Sequence, residues 1–438
     1  MNYKGRTAKC VILLMILTGL LFTSGCYDAI EIDEMVYVVA LGLDSGINGD
    51  VRMTMLFAVP IAVGVGPEPG EVDKSTTLIT VEAPTIYGGM NIANSMLSKK
   101  VNLSHAKLVV ISKELAQKGI EKYVNTFNRF REFRPNTYLG IARGRAEDFL
   151  KESKPILEAN PAKYYELLLE SWRYTGFSVG STLSSFYREM RSKEGEAVAT
   201  LLDVNNLEAS EEFGKILLAG KEDKDGKVME GDYTAGQVPA IFDSKSMNMG
   251  TAVFKADKMV GELNGRETVF YLMVTGRLKE AYFSIPDPEE QNSAELQEMK
   301  YVSLRLSFAR RPVVQVQMQD DTPHITAHIF LEGSILTVEG DKDYSTGEGL
   351  KQLEDFTAEY LRRDILSFLE MTRDTFNSDI CSTGKKMKQK FLLWDDWVRF
   401  RWVDKYENAL FDAVLKVAIR RAGMTVKQIP MADLKGKE

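Results

Sequence analysis

The chain has 438 residues, 44% of them hydrophobic and 27% charged, which is ordinary globular composition and excludes a disordered chain. Its formal net charge is −7, with no Lys/Arg-rich arm, and this argues against a nucleic-acid partner. Only 3 histidines are present, so metal and acid–base chemistry are limited from the start.

Lys4, Arg6 and Lys9 form a positive N-terminal region with no acid before Asp28. Val11 to Phe22 follows as a mostly apolar run of 12 residues. A spanning helix needs roughly 20 residues, so the run reads as the core of a secretory signal. It ends Thr23-Ser24-Gly25-Cys26, small residues and then cysteine, the form of a lipobox with Thr23 where Leu is usual. Small side chains let a signal peptidase grip the extended backbone, and the thiol accepts a diacylglyceryl group. Cleavage is expected between Gly25 and Cys26. A plain signal peptide with an incidental cysteine, or an uncleaved anchor, is the competing reading. Acyl chains contribute about 0.8 kcal/mol per buried CH₂, so two or three together hold a protein on a membrane. Losing the leader moves the net charge from −7 to about −10. Cys10 leaves with the leader and Cys26 is modified, so Cys381 stands alone without an internal disulfide, and reads as a small buried residue.

Met35 to Leu43 is nearly all apolar and reads as a strand buried on both faces. Val51 to Val59 alternates as a second strand, with "DSGINGD" as the turn between them. Thr77, Ile79 and Val81 continue the sheet beyond a Gly/Pro loop. Ile86, Met90, Ala93 and Leu97 have helical spacing; "AKLVVIS" is a strand. Leu115, Ile120, Tyr123, Val124 and Phe127 mark one further helix; "NTYLGIAR" is a strand and "RAEDFLKES" a short helix. Asn160-Pro161 is a cap with proline at the first helical position, predicting a helix to about Tyr174. "GFSVGST" breaks it, "LSSFYREM" is helical, and "AVATLLDVN" is a strand that closes the first region.

From Gly214 the pattern changes to short strands with Gly/Asp turns: "KILLAG", "GKVMEG", "QVPAIFD", and "GTAVFKADKMVGELNG" as a hairpin turning near Ala256-Asp257. Asn264 and Glu267 have capping-box spacing ahead of a helix, and "SIPDPEEQN" is a polar linker. Long alternating strands follow around Val302–Phe308, Val314–Met318 and Ile325–Leu331, then a long helix from about Gly349 to Phe376. Leu361, Ile365, Phe368, Leu369, Thr372 and Phe376 form its stripe. "FLLWDDWVRFRW" reads as an amphipathic helix packed on the sheet, and Phe411 to Ile419 alternates as a final strand. The fold class is α+β (mixed α/β) and multi-domain: a mixed-sheet domain, a smaller β-rich middle region, and a C-terminal antiparallel sheet with a long helix. The expected division is a signal peptide over 1–25, then domains over 26–205, 206–285 and 286–428.

Few constellations could carry chemistry. Gly176-Phe177-Ser178-Val179-Gly180 matches G-x-S-x-G, but a nucleophile elbow needs a strand before the serine, and "AKYYELLLESWRY" is helical. Ser178 is therefore read as part of a helix-breaking loop. His324 and His328 lie on an alternating strand, where that spacing separates them by about 13 Å, too far to share an ion. His105, just before a strand, reads as a hydrogen-bonding residue rather than a general base. Asp28, Glu31, Asp33 and Glu34 read as a solvated tether rather than a cation site. Trp394, Trp397, Phe400 and Trp402 form either a core face or a membrane-surface belt, with the core face favoured. No catalytic, metal or cofactor residue is assigned.

"GCYDAIEIDEMVYVVALGLD" resembles the start of mature Ger(x)C-family spore germination lipoproteins, through Asp28, Glu31-Ile32 and Gly42-Leu43-Asp44, with Tyr27 where Trp is usual. "SHAKLVVISKELAQKGIEKYV", "RPNTYLGIARGRAEDFL", "GTAVFKADKMVGELNGRETVFYLMVTG" and "LKVAIRRAGM" are similar to further family blocks along the mature chain. "SDICSTGKKM" departs from the family's Asp-Ile/Phe-Gly-Phe-Gly: Cys381 and Ser382 replace the first Gly-Phe pair and Gly384 comes one place late. The resemblance implies a three-domain, non-enzymatic protein, the C subunit of a nutrient germinant receptor. It would be lipid-anchored through diacylglyceryl and N-acyl groups on Cys26 to the outer face of the inner spore membrane. Its implied partners are the integral membrane A and B subunits, and the response to nutrients would be release of ions and dipicolinic acid. No cofactor and no ligand-binding residue carries over. The competing reading is a solute-binding lipoprotein of a transporter, a class with two similar lobes; here the two halves do not resemble each other. A surface-anchored hydrolase acting through Ser178 is the third. A tether of about ten residues after Cys26 reaches at most about 35 Å, which keeps the first domain near the membrane.

Overall fold

The computed structural model describes residues 3–21, 31–59, 76–158, 160–205, 229–240, 242–288, 300–340, 342–344 and 346–421. Residues 3–21 of the signal-like segment form helix α1 (Tyr3–Leu21); among the described residues no helix is long and apolar enough to cross a membrane. The first module runs β1 (Met35–Ser45), β2 (Val51–Ala58), β3 (Thr76–Ala83), α2 (Ile86–Met96), β4 (Lys100–Asn102), β5 (Leu108–Ser112), α3 (Lys113–Lys118), α4 (Glu121–Arg129) and β6 (Tyr138–Ala142). It continues α5 (Ala146–Glu152), α6 (Pro161–Glu170), α7 (Trp172–Thr175), α8 (Leu183–Arg191) and β7 (Val198–Val204). Then come β8 (Ser246–Lys255), β9 (Lys258–Leu263), α9 (Gly265–Thr275), β10 (Ala281–Pro286), β11 (Tyr301–Gln319), β12 (Thr322–Val338) and α10 (Gly347–Asp374). The last elements are α11 (Gly384–Lys388), α12 (Trp394–Phe400), α13 (Trp402–Tyr406) and β13 (Leu410–Arg421).

The first sheet has the order β3-β2-β1-β5-β6-β7-β8-β9, with β4 beside the start of β1. Strands β1, β5, β6 and β7 are parallel, and both flanks are antiparallel. The continuous apolar run of β1 is explained by this position. Leu41 and Leu43 enter the core under α2, α3, α4 and α8, while Val39 and Ala40 enter the opposite core under α5 and α6. A strand covered on both faces has no solvent side to make polar.

Local signals place most elements, and long-range contacts move several. The single helix expected through Leu115–Phe127 is two, because Gly119 at φ 116° ends α3 and Ile120 donates to Asp257 O at 3.0 Å. The helix after Pro161 likewise pauses at Ser171. "QVPAIFD" is not a strand where it is described: Pro239 lacks a ladder donor, and Asn205 Nδ2 donates to the carbonyls of Val238 and Ala240 at 3.0 and 2.8 Å. "KILLAG" and the first half of "GKVMEG" lie outside the described residues. Strand β4 is too short to announce itself, and β10 takes in Ser284–Pro286, the start of the expected linker "SIPDPEEQN", because Ala281, Phe283 and Ile285 alternate into the core.

The β8–β9 hairpin turns at Ala256, φ 53°, and β8 pairs with β7, so this hairpin extends the first sheet. Strand β10 pairs instead with β11. The region 206–285 thus contributes strands to both sheets. Between them lies α9, opened by the expected capping box: Asn264 Oδ1 accepts from Glu267 N at 2.8 Å, and Glu267 Oε2 accepts from Asn264 N at 2.9 Å.

The second sheet has the order β10-β11-β12-β13. Its first three strands are antiparallel, and β11 and β12 form one long hairpin. Both turn residues, Asp320 and Asp321, have positive φ (47° and 68°), the two-residue turn whose twist matches that of paired strands. The last strand differs from expectation: β13 is parallel to β12, because α10 and the short helices carry the chain back to the end at which β12 starts. The predicted stripe of α10, from Leu361 to Thr372, is buried on this sheet. The expected amphipathic helix is broken in two at Arg401, φ 51°.

Candidate functional site

Gly42-Leu43-Asp44 ends β1, and its chemistry is reciprocal with α5. Asp44 Oδ1 accepts from Ala146 N at 2.8 Å and Oδ2 from Glu147 N at 3.0 Å, so a strand-end carboxylate caps a helix more than a hundred residues away. Burial pushes the Asp44 carboxyl up, opposed by those two amides. A Cβ on Gly42 would lie 3.0 Å from Leu150 Cδ1 and 3.2 Å from Ala146 Cβ, which is why the position before Leu43-Asp44 is glycine. In the first turn of α5, Glu147 is bound by Arg52 at 2.9 Å, Arg145 at 2.7 Å and Lys151 at 2.7 Å. The Arg52 bond above all lowers its carboxyl to about 2.

Asp44, Arg52 and Arg145 rim a crevice of about 470 Å³ at the C-terminal ends of β1, β5 and β6. The helix after β5 packs on one face of the sheet at this end and the helix after β6 on the other. Glu262 holds both Lys113 at 2.6 Å and Arg143 at 3.0 Å, and Arg52 reaches Glu82 at 3.8 Å. The charges here are committed to one another and tie β9, β6, β2 and α5 together.

A larger cleft, about 770 Å³, separates α8 from the end of α9, the Arg311–Val314 stretch of β11 and the loop from Ile380 to Gln389. Asp379, 2% exposed, organises that loop. It accepts from Thr383 N at 2.9 Å, Thr383 Oγ1 at 3.0 Å, Gly384 N at 2.9 Å and Trp402 Nε1 at 2.8 Å. Its main-chain oxygen accepts from Glu196 N at 3.0 Å, and Ser378 Oγ donates to Phe254 O at 2.6 Å, so the loop is stitched to the first sheet. Ser382 takes positive φ, 53°, a left-handed conformation uncommon for a residue with a side chain. Glu196 lines the cleft, and burial pushes its carboxyl up to about 7. Cys381 is buried and burial raises its thiol, so it is an inert packing residue, as the sequence suggested.

The other expected residues fall as follows. Ser178 is 1% exposed in the loop after α7, its Oγ has no hydrogen-bond partner, and no strand precedes it. His324 and His328 lie on β12 opposite Gln317 and Val313. Among the described residues no group of three His, Cys, Asp or Glu could hold a metal ion. His105 stacks on Tyr37 with ring centroids 4.3 Å apart, and burial lowers its ring pKa. Cys26 and Asp28 lie outside the described residues; Glu31, Asp33 and Glu34 are exposed. Trp397 and Trp402 are buried with Tyr406, Val316 and Ile325, whereas Trp394 is exposed. The carboxylates Glu147, Glu196 and Asp379 were missed by sequence reasoning, since a lone acid in a loop or first helical turn is normally solvated; only Asp44 stood in a motif.

Two family models match in tandem. The one described as "Spore germination protein N-terminal domain" covers residues 28–204, and "Spore germination B3/ GerAC like, C-terminal" covers residues 249–423. The chain is 19% identical to spore germination protein GerQC of Bacillus cereus over 416 residues, 94% of this chain and 99% of that one. It is 21% identical to spore germination protein KC of Bacillus subtilis (strain 168) over 424 residues, covering 95% and 96%. The crystal structure of the GerBC protein shares the fold, with a TM-score of 0.51 at 14% identity, covering 86% of this chain and 96% of that one. With both domain models matched in order and relatives aligned from end to end, the chain belongs to the Ger(x)C family of spore germination proteins.

Proposed function

We propose that this chain is a non-enzymatic subunit of a spore nutrient germinant receptor. Acylated Cys26 holds it at the outer face of the inner spore membrane, where it acts with the integral membrane A and B subunits. The observation that carries the reading is the tandem match over 28–204 and 249–423, which begins two residues after the lipobox cysteine. The commitment of the cleft charges to one another supports a role in contact and positioning rather than turnover. The test is dipicolinic acid release from spores lacking the protein, across a nutrient panel. Loss of response to a subset of nutrients, with a normal response to a non-nutrient trigger, is expected. Intact germination with impaired uptake of a single solute would favour the transporter lipoprotein instead. Cys26→Ala is expected to move the protein out of the membrane fraction without changing its melting temperature; retention in the membrane would mean that the leader or a partner suffices.

A further inference from the structure

The aromatic run near the C-terminus divides into two parts that the sequence presents as one. Phe391 packs on Trp397 and Phe400, with ring centroids 5.6 and 4.9 Å apart, and so fixes the base of the segment. The next three residues turn outward: Leu392 is fully exposed, Leu393 is 63% exposed and Trp394 is 53% exposed. Three consecutive large apolar side chains in water, on a rigid base, have no role in the core.

The charge around them is distinctive. From Lys385 to Trp402 there are six cations (Lys385, Lys386, Lys388, Lys390, Arg399, Arg401) and two carboxylates, on a chain whose net charge is −7. Asp396, one of those carboxylates, is paired with Arg399 at 2.6 Å, and Arg401 is paired with Asp404 at 2.5 Å, so the excess of positive charge rests on the lysines. Lys388 Nζ lies 4.7 Å from the centre of the Trp394 ring, which holds the indole beside a cation. Lys385 and Lys388 reach Glu189 and Glu194, Lys390 donates to Val316 O at 2.7 Å, and Lys386 is exposed.

Position adds a third observation. The parallel strands β1, β5, β6 and β7 all begin at one edge of the first sheet. Glu194 and Glu196 immediately precede β7 at that edge, and they bind Lys388 and the Asp379 carbonyl. The chain leading from residue 26 enters the same edge at Met35, three strand spacings or about 15 Å across the sheet from β7. Met35 and the Lys388–Glu194 contact therefore lie at the same end of these parallel strands.

We infer that Leu392, Leu393 and Trp394 are a second membrane contact, set into the headgroup region of an anionic bilayer while the exposed Lys386 meets lipid phosphate. Indole at the interface, leucine below it and lysine around it are the chemistry of a peripheral membrane face. The orientation rests on the proposal that Cys26 is the anchor; the face itself does not.

The experiment uses the full acylated chain in vesicles of phosphatidylethanolamine and phosphatidylglycerol whose acyl chains are natural or brominated. Flotation reports the anchor, and bromine quenching of tryptophan fluorescence reports the contact. Quenching is expected in the wild type, with about a twofold or greater loss in Trp394→Phe and in the double variant Leu392→Ser/Leu393→Ser, at unchanged flotation and melting temperature. Replacing phosphatidylglycerol by phosphatidylcholine is expected to weaken the quenching. Flotation with no quenching attributable to Trp394 overturns the inference and leaves the anchor standing. Failure to float overturns both. A self-association of the chain that the double variant abolishes, without Trp394 quenching, would assign the face to a second copy and also overturn it.

Discussion

Replacing Glu147 by glutamine tests whether the first module is held by its charge cluster. Glu147 is 5% exposed, and Arg52, Arg145 and Lys151 lie within 2.9 Å of its oxygens. Its carboxyl is lowered from 4.5 to about 2, first by the Arg52 hydrogen bond. At 1.36 kcal/mol per pKa unit this shift corresponds to about 3 kcal/mol. The Arg145 and Lys151 side chains are 52% and 51% exposed, and solvent screening reduces the usable contribution to about 2 kcal/mol. The folded pKa lies below the unfolded one. The stabilisation is therefore complete above pH 4.5 and lost as the pH falls towards 2. Urea unfolding of wild type and Glu147→Gln should show a gap of about 2 kcal/mol at pH 7 that has nearly closed near pH 2. A gap of equal size at both pH values, or none at pH 7, would refute the assignment.

Glu196 has the opposite sign. Its folded carboxyl is raised to about 7 by burial, so its contribution is complete below pH 4.5 and lost as the pH rises through 7. Glu196→Gln should match the wild type at pH 4 and be more stable by up to about 3 kcal/mol at pH 9 in thermal unfolding; a variant less stable at pH 9 would show that the charged form is the one the fold needs. In Gly195→Ala the added Cβ would press on Ser382 Oγ and lie 2.6 Å from Ser382 Cα, and the backbone atom cannot rotate away. A loss of about 2 kcal/mol is expected, partly recovered by adding Ser382→Gly, and no recovery would place the strain elsewhere. Asn264→Ala removes the cap of α9 and should cost about 1 kcal/mol, read as a lower urea midpoint at unchanged slope.

Much of the fold is legible where the signal is local. The cap at Asn160 appears as read, its Oδ1 accepting from Ala162 N at 3.0 Å. The capping box at Asn264 and Glu267, the turn at Ala256 and the stripe of α10 likewise follow from neighbouring residues alone. The site is less legible. Asp44 is visible as a motif, but its partners Ala146 and Glu147 are not, because nothing local to either segment specifies the other. Asp379 looks like an ordinary loop acid, and only the convergence of four donors, one of them from Trp402, makes its burial tolerable. The tryptophan run could not be divided from its sequence, since a left-handed residue at Arg401 resets the helical phase between Trp397 and Trp402.

The sequence by itself determined the lipobox-like pattern at Thr23–Cys26, the two-sided burial of β1, the helix caps and the family. These depend on composition and on periodicities of a few residues, which the chain carries wherever it goes. The tertiary structure alone decided that β13 runs parallel to β12, that β8 and β9 complete the first sheet, and that Trp394 faces outward while Trp397 faces in. Strand direction and partner are chosen by which distant surfaces bury the most apolar area while leaving no amide unpaired, and that comparison exists only once the whole chain has been brought together.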